Sequence, residues 1–193
     1  NHESVMLNRV YGFYTEVITK YSDSVYVLFS QVFQELPLAH VIGGEVLVLH
    51  GGLFSNDEVA LADILALDRR REPPDFGPMC ELLWSDPQTA PGRSRNPRGV
   101  ALCFGPDVTA RFLERNNLKL LVRSHQMKQN GYEIEADGKL VTVFSAPNYC
   151  GVMGNKGAVL HFDASMQYTA SVFNSATSNQ TVHMASMLQS MRM

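Results

Sequence analysis

Between Val25 and Leu36 the apolar residues fall at Val25, Leu28, Phe29, Val32, Phe33 and Leu36, three and four apart. That spacing predicts a helix with one apolar face, and Pro37 ends it. Two β-rich runs follow, Ala39 to Ile42 and Glu45 to Leu49. They flank Gly43-Gly44, which predicts a tight hairpin whose second strand runs straight into His50. Short helical patterns cover Leu61 to Arg70 and Pro78 to Leu83, separated by Glu72 to Gly77, where Pro73-Pro74 excludes helix. The polar stretch from Ser85 to Gly99, with prolines at 87, 91 and 97, reads as a long loop of the kind that carries function. Pro106 and Asp107 suit the first turn of a helix that Asn116-Asn117 close. Leu118, Leu120 and Val122 alternate with Lys119, Leu121 and Arg123, predicting a strand that delivers His125 at its end. A hairpin across Asp137-Gly138 joins Tyr132–Glu135 to Leu140–Phe144, and strands follow at Ala158–Phe162 and Tyr168–Phe173. From Asn174 to Met193 the chain is polar and then Met-rich, with Met184, Met187 and Met191 at helical spacing. Both a short docking helix and a disordered tail fit that segment.

Composition adds bounds rather than chemistry. The chain has 193 residues, 45% of them apolar and 18% charged, as expected for one globular domain with a sizeable core. A net charge of -3 offers no bulk attraction to nucleic acid or anionic membranes. Cys80, Cys103 and Cys150 are odd in number and show no CxxC spacing, which suits a reducing, intracellular compartment. No apolar run approaches the roughly 18 residues of a membrane span, so a soluble protein is expected. With no secretory signal to support it, the glycosylation match at Asn179-Gln180-Thr181 is read as chance. The first residue is Asn rather than Met, and the expectation is that further chain precedes it.

The candidate chemistry gathers at strand ends. His50-Gly51-Gly52 and Arg123-Ser124-His125 each close a β-rich run. Ser145-Ala-Pro-Asn-Tyr-Cys150 follows a third, its Pro147 offering Tyr149 and Cys150 from a rigid loop. Strand-tip imidazoles suit a metal site, and Gly51 and Gly52 read as a sharp turn leaving room for a ligand. Phosphate chemistry at such a metal needs an acid for the leaving oxygen and cations for the phosphoryl group. His2, beside Glu3, can supply the first, and Arg98 and Arg123 the second. Taken singly, these residues have ordinary readings: a satisfied strand histidine, which is the reading for His40, His161 and His183; a solvated Arg98; core thiols at Cys80 and Cys103; a buried Tyr149.

Taken together and in order, the motifs resemble those of the metal-dependent serine/threonine protein phosphatases, the phosphoprotein phosphatase family. Asn1-His2-Glu3 resembles the end of its Gly-Asn-His-Glu motif, and His50-Gly51-Gly52 its His-Gly-Gly motif. Arg123-Ser124-His125 resembles its Arg-(Ala/Ser)-His motif, and residues 145–150 its Ser-Ala-Pro-Asn-Tyr-Cys signature. Pro73-Pro74-Asp75, Gly77-Pro78-Met79-Cys80 and Leu82 to Gln88 are most similar to the type-5 subfamily, whose full chains carry an N-terminal tetratricopeptide domain. The resemblance implies an α/β (α+β) fold: residues 1–173 as the C-terminal part of a calcineurin-like metallophosphoesterase αββα sandwich with two central mixed sheets, and residues 174–193 as a tail. It implies Asn1, His50 and His125 as ligands of the second of two divalent metals (manganese, iron or zinc), and His2 as general acid. It further implies Arg98 and Tyr149 at the phosphate, Cys150 at the inhibitor-binding rim rather than as nucleophile, and Arg123 as a residue that positions the strand tip. The implied activity is dephosphorylation of phosphoserine and phosphothreonine in proteins by a dimetal-bound hydroxide. Implied partners are phosphoproteins and, through an upstream tetratricopeptide domain, the Hsp90 chaperone, in the cytoplasm or nucleus. The family's two upstream aspartate motifs are absent from these 193 residues, so half a site is expected here and the isolated piece is expected to be inactive. Gly151 stands where type-5 relatives carry an acid, which alters the rim. Two other readings stay open: a catalytically silent interaction module, and a dimetal phosphoesterase of small molecules.

Overall fold

Two serines start the helices that open the chain. Ser4 Oγ accepts the Leu7 N–H ahead of α1 (Val5–Val10), and Ser22 Oγ accepts the Val25 N–H ahead of α3 (Asp23–Glu35). Between them α2 (Phe13–Lys20) starts at Gly12, whose φ of 93° favours glycine. The computed structural model describes residues 1–176; the sequon, His183 and the Met-rich stretch lie outside the described residues. Neither α1 nor α2 was expected from the apolar pattern. α3 was, but its apolar positions are only partly covered: Phe33 packs on Phe13, whereas Leu28 and Val32 are 60% and 57% exposed. Tyr26 is the residue α3 buries, with its hydroxyl donating to Asn8 Oδ1 at 2.6 Å.

The predicted hairpin forms as β1 (Ala39–Ile42) and β2 (Val46–Leu49). It joins β6 (Leu120–Arg123), β7 (Tyr132–Glu135) and β8 (Leu140–Val143) in a mixed sheet of order β1-β2-β6-β8-β7. β2, β6 and β8 run parallel in its centre, with β1 and β7 antiparallel at the edges. Alternate side chains serve two cores. Leu47, Leu49, Leu121 and Leu140 pack with Val108, Phe112 and Leu113 of α6 (Pro106–Arg115) and with Leu82 of α5 (Pro78–Trp84). Val46, Leu120, Val122 and Val141 face the hairpin of β9 (Gly157–Phe162) and β10 (Tyr168–Phe173). β6 is therefore buried on both faces, and its apparent alternation with Lys119 and Arg123 does not mark a solvent face.

Two further expectations are corrected. The helix expected over Leu61–Arg70 stops as α4 (Leu61–Leu65), because Arg69 turns back to donate to the carbonyls of Phe33 and Leu36 at the end of α3. The stretch Ser85–Gly99 is no plain loop: β3 (Asp86–Pro87) and β4 (Arg93–Arg95) flank β5 (Leu102–Phe104) in a second, smaller mixed sheet. The overall expectation of an α/β chain with mixed sheets holds.

Candidate functional site

His50 and His125 leave the ends of neighbouring parallel strands, β2 and β6. The register Val48↔Val122 brings them together, with the Ser124 N–H donating to the His50 carbonyl at 3.1 Å. His50 Nε2 and His125 Nδ1 lie 3.1 Å apart in hydrogen-bonding contact. Burial above all lowers both pKa values, His50 to about 3 and His125 to about 2, with neighbouring positive charge adding to the shift. Both imidazoles are therefore neutral at physiological pH, the form that donates a lone pair. His125 is held at φ 63°, an uncommon conformation for a residue with a Cβ.

The clamp around that strand tip is polar and buried. Arg123, 1% exposed, donates through Nε to the Gly51 carbonyl at 2.6 Å and through Nη1 to Gln126 Oε1 at 2.9 Å. Its Nη2 reaches Asp86 Oδ1 at 2.8 Å and the Ser85 carbonyl at 3.2 Å. The other oxygen of Asp86 accepts Arg98 Nε at 2.7 Å and Asn96 Nδ2 at 3.2 Å. Arg98 Nη2 in turn donates to the His125 carbonyl at 3.1 Å. One carboxylate thus ties the Arg98 loop to both strand tips, and Trp84 sets its ring edge-on to His125 at 5.5 Å. Asp86, Asn96, Trp84 and Gln126 were given no role from the sequence, although Trp84 and Asp86 lie in the Leu82–Gln88 stretch that resembles the type-5 subfamily and Asp86 sits between an apolar helix and Pro87.

The paired glycines act differently from expectation. Neither Gly51 nor Gly52 has positive φ. A Cβ on Gly51 would stand 2.5 Å from the backbone of Leu83 and Trp84, and one on Gly52 would meet the Phe104 ring and, at 2.8 Å, the Ser85 carbonyl. They admit the end of α5 and Phe104 against β2, not a ligand.

Asn1 is buried and borders, with His50, a cavity of about 180 Å³. A wider cavity of about 620 Å³ runs past Asn1, Trp84, Arg98 and Val100. Asn1 Oδ1 and His125 Nε2 are both buried without a hydrogen-bond partner. Buried polar atoms without partners are uncommon, and two neutral imidazoles beside an amide oxygen form a donor set suited to a divalent transition metal. Among the described residues no three His, Cys, Asp or Glu side chains converge, so that set is small. His2 is largely exposed and stacks on Tyr11, with ring centroids 5.1 Å apart; partial desolvation of the ring is the main cause that lowers its pKa.

Tyr149 and Cys150 stand apart from this group. They occupy the loop after β8 and make no hydrogen bond to Asn1, His2, His50, Arg98 or His125. The Tyr149 ring packs edge-on to Phe144 at 5.1 Å, and Cys150 is exposed, while Cys80 and Cys103 are buried. Tyr149 is half-exposed rather than a core aromatic.

Residues 1–129 match the calcineurin-like phosphoesterase family. The chain is 63% identical over 164 residues to serine/threonine-protein phosphatase 5 of Arabidopsis thaliana, a match covering 85% of this chain and 30% of that protein. It is 57% identical over 165 residues to serine/threonine-protein phosphatase 5 of Homo sapiens, covering 86% and 33%. The chain thus spans about a third of the length of these curated relatives. A solved protein serine/threonine phosphatase from Saccharomyces cerevisiae superposes with a TM-score of 0.87 at 41% identity, over 92% of this chain and 59% of that one.

Proposed function

The chain belongs to the calcineurin-like phosphoesterase family, and from that premise we propose that it carries part of the catalytic domain of a type-5-like protein serine/threonine phosphatase. The observation that supports this most is the pair of neutral imidazoles, His50 and His125, 3.1 Å apart beside the unpartnered Asn1 amide oxygen, with Arg98 tied to the same strand tip. Asn1, His50 and His125 would hold one of two divalent cations, manganese, iron or zinc. Such a cation supplies Lewis acidity toward the phosphoryl group and lowers the pKa of water.

The chain's own residues do the rest. Arg98 Nη1 makes no hydrogen bond among the described residues, while Nε and Nη2 are anchored. The guanidinium therefore meets a phosphate without reorganising. His2 gives its proton to the serine or threonine oxygen as the P–O bond to that oxygen breaks and a hydroxide oxygen, left when water releases one proton to solvent, bonds to phosphorus. Partial desolvation holds the pKa of the free imidazole low, and the negative charge of a bound phosphate favours its protonated form. The Tyr149 hydroxyl is a further donor toward the phosphate, and Cys150 takes no part in bond making. Phosphoprotein substrates, and Hsp90 as a partner through a tetratricopeptide region, belong to the same reading.

The experiment is His125→Ala in the native polypeptide, with metal content and phosphoserine-peptide hydrolysis measured together. The expected result is loss of metal at this position and a fall in kcat/KM of at least about a hundredfold. Normal metal occupancy with normal turnover would overturn the assignment.

A further inference from the structure

Between β8 and β9 the chain spans residues 144–156 without sheet pairing, and its backbone takes positive φ at Asn148 (48°), Cys150 (55°), Gly151 (74°) and Gly154 (62°). The tip has no core beneath it: Val152 is 78% exposed. What holds it is a small set of hydrogen bonds centred on one buried side chain. Asn155, 3% exposed, donates from Nδ2 to the carbonyls of Ala146 and Lys156, each at 2.9 Å, and accepts the Tyr149 N–H on Oδ1 at 2.8 Å. Its backbone carbonyl accepts the Asn148 N–H at 2.7 Å, and Asn148 Oδ1 accepts the Gly154 N–H at 3.1 Å. The residues flanking Asn155 reach the segment that follows His125. The Lys156 N–H donates to the Gln129 carbonyl at 3.0 Å, and Gln129 Nε2 donates to the Gly154 carbonyl at 3.2 Å.

We propose that Asn155 is a positioning residue for the phosphatase reaction: its buried amide fixes Tyr149 and clamps the Tyr149 loop in the shape through which Gly154 and Lys156 bond Gln129, in the segment that follows His125. The proposal rests on the proposed function for the role of Tyr149 at the phosphate. Only an amide meets the chemistry of the site, with two donors for two carbonyls and an acceptor for an N–H in one short planar group. Aspartate of the same shape keeps the acceptor and sets a second oxygen against those carbonyls. Alanine leaves the carbonyls and the Tyr149 N–H unpaired, and a backbone with two non-glycine residues at positive φ then relaxes toward ordinary conformations. Tyr149 moves with it.

The test uses Asn155→Ala and Asn155→Asp in the native polypeptide, with two readouts. The first is the maleimide-labelling rate of Cys150, the exposed thiol of the loop, which reports loop opening independently of catalysis. The second is the separation of kcat from KM on a phosphoserine peptide. For Asn155→Ala, labelling is expected to accelerate about tenfold and KM to rise about tenfold while kcat stays within about threefold, because positioning rather than proton transfer is lost. Asn155→Asp, chosen because it retains volume, moves both readouts the same way by at least about threefold. In a Tyr149→Phe background the added effect of Asn155→Ala on KM shrinks to less than about twofold, since both changes act through one group. A folded Asn155→Ala protein with wild-type labelling overturns the clamp. Faster labelling with unchanged KM, or full additivity with Tyr149→Phe, overturns the positioning role. A wild-type protein without turnover defeats the proposed function and the positioning role together, and the labelling rates then decide the clamp alone.

Discussion

His50 and Tyr149 both follow strands of the five-stranded sheet, β2 and β8, yet they are held by different forces. His50 leaves its strand into a backbone packed within 2.5 Å of where a Cβ on Gly51 would stand. Its partner strand is buried on both faces and locked by Arg123, Asp86 and Arg98. Tyr149 is five residues past Phe144, on an exposed loop whose shape depends on the hydrogen bonds of Asn155 and Asn148. Close packing fixes a position against every displacement but tolerates no extra atom. A hydrogen-bonded loop tolerates added atoms and fails when one polar group is removed. Groups that must keep a fixed mutual geometry, such as paired imidazoles, suit the first construction, and a group that meets varied substrates suits the second.

The largest effect that sharpens this contrast is expected from Asp86→Ala, which strands the fully buried Arg123 charge. Loss of one partner of such a pair costs about 3–5 kcal/mol. Urea or thermal unfolding measures it, and a loss under about 1 kcal/mol would mean that the strand tip is not held by this network. Next comes Gly51→Ala, expected to cost about 3 kcal/mol because its Cβ meets backbone atoms that cannot turn aside. If that variant unfolds like the wild type, the close-packing half of the contrast is wrong. Manganese at a hundredfold its Kd should stabilise the native polypeptide by about 2.7 kcal/mol. That rise in Tm should vanish in His125→Ala and persist in Tyr149→Phe. In the loop, Gly154→Ala meets no atom within 4 Å and carries only the strain of φ +62°, about 1 kcal/mol. A cost equal to that of Gly51→Ala would erase the difference between the regions. Smallest of all, Cys150→Ser should retain at least about half the wild-type kcat/KM. Complete loss of turnover, or a covalent phosphocysteine in the wild type, would instead make the loop the seat of the chemistry.

The parts of the fold legible in the pattern were those where periodicity and turn residues agree. The β1–β2 hairpin, α6 between Pro106 and Asn116, the β7–β8 hairpin and the last two strands all read correctly. The small sheet made from Asp86 to Phe104 did not, because strands of two and three residues are too short to show a period. α1 and α2 escaped for a related reason: with six and eight residues they are too short to show a helical period, and their starts depend on Ser4 and Gly12 rather than on a stripe. At the candidate site, the ordered motifs pointed to His50 and His125 and the need for a phosphate-binding cation to Arg98, and the fold brings these three together. Asn155 carried no local signal, and Asp86 only that of its place between an apolar helix and Pro87.

Local chain chemistry therefore determined which residues could end a strand, start a helix or donate a lone pair, because those properties reside in one side chain and its near neighbours. Pro106, the Gly43-Gly44 turn and the imidazoles themselves are of that kind. Only the tertiary structure decided that both imidazoles are neutral, that Gly51 and Gly52 serve packing rather than ligand access, and that one carboxylate is shared by Arg98 and Arg123. These depend on desolvation and on contacts between residues tens of positions apart in the chain. The energy of a buried charge or of a missing Cβ is set by what surrounds it, and the surroundings exist only once β2, β6 and α5 have packed.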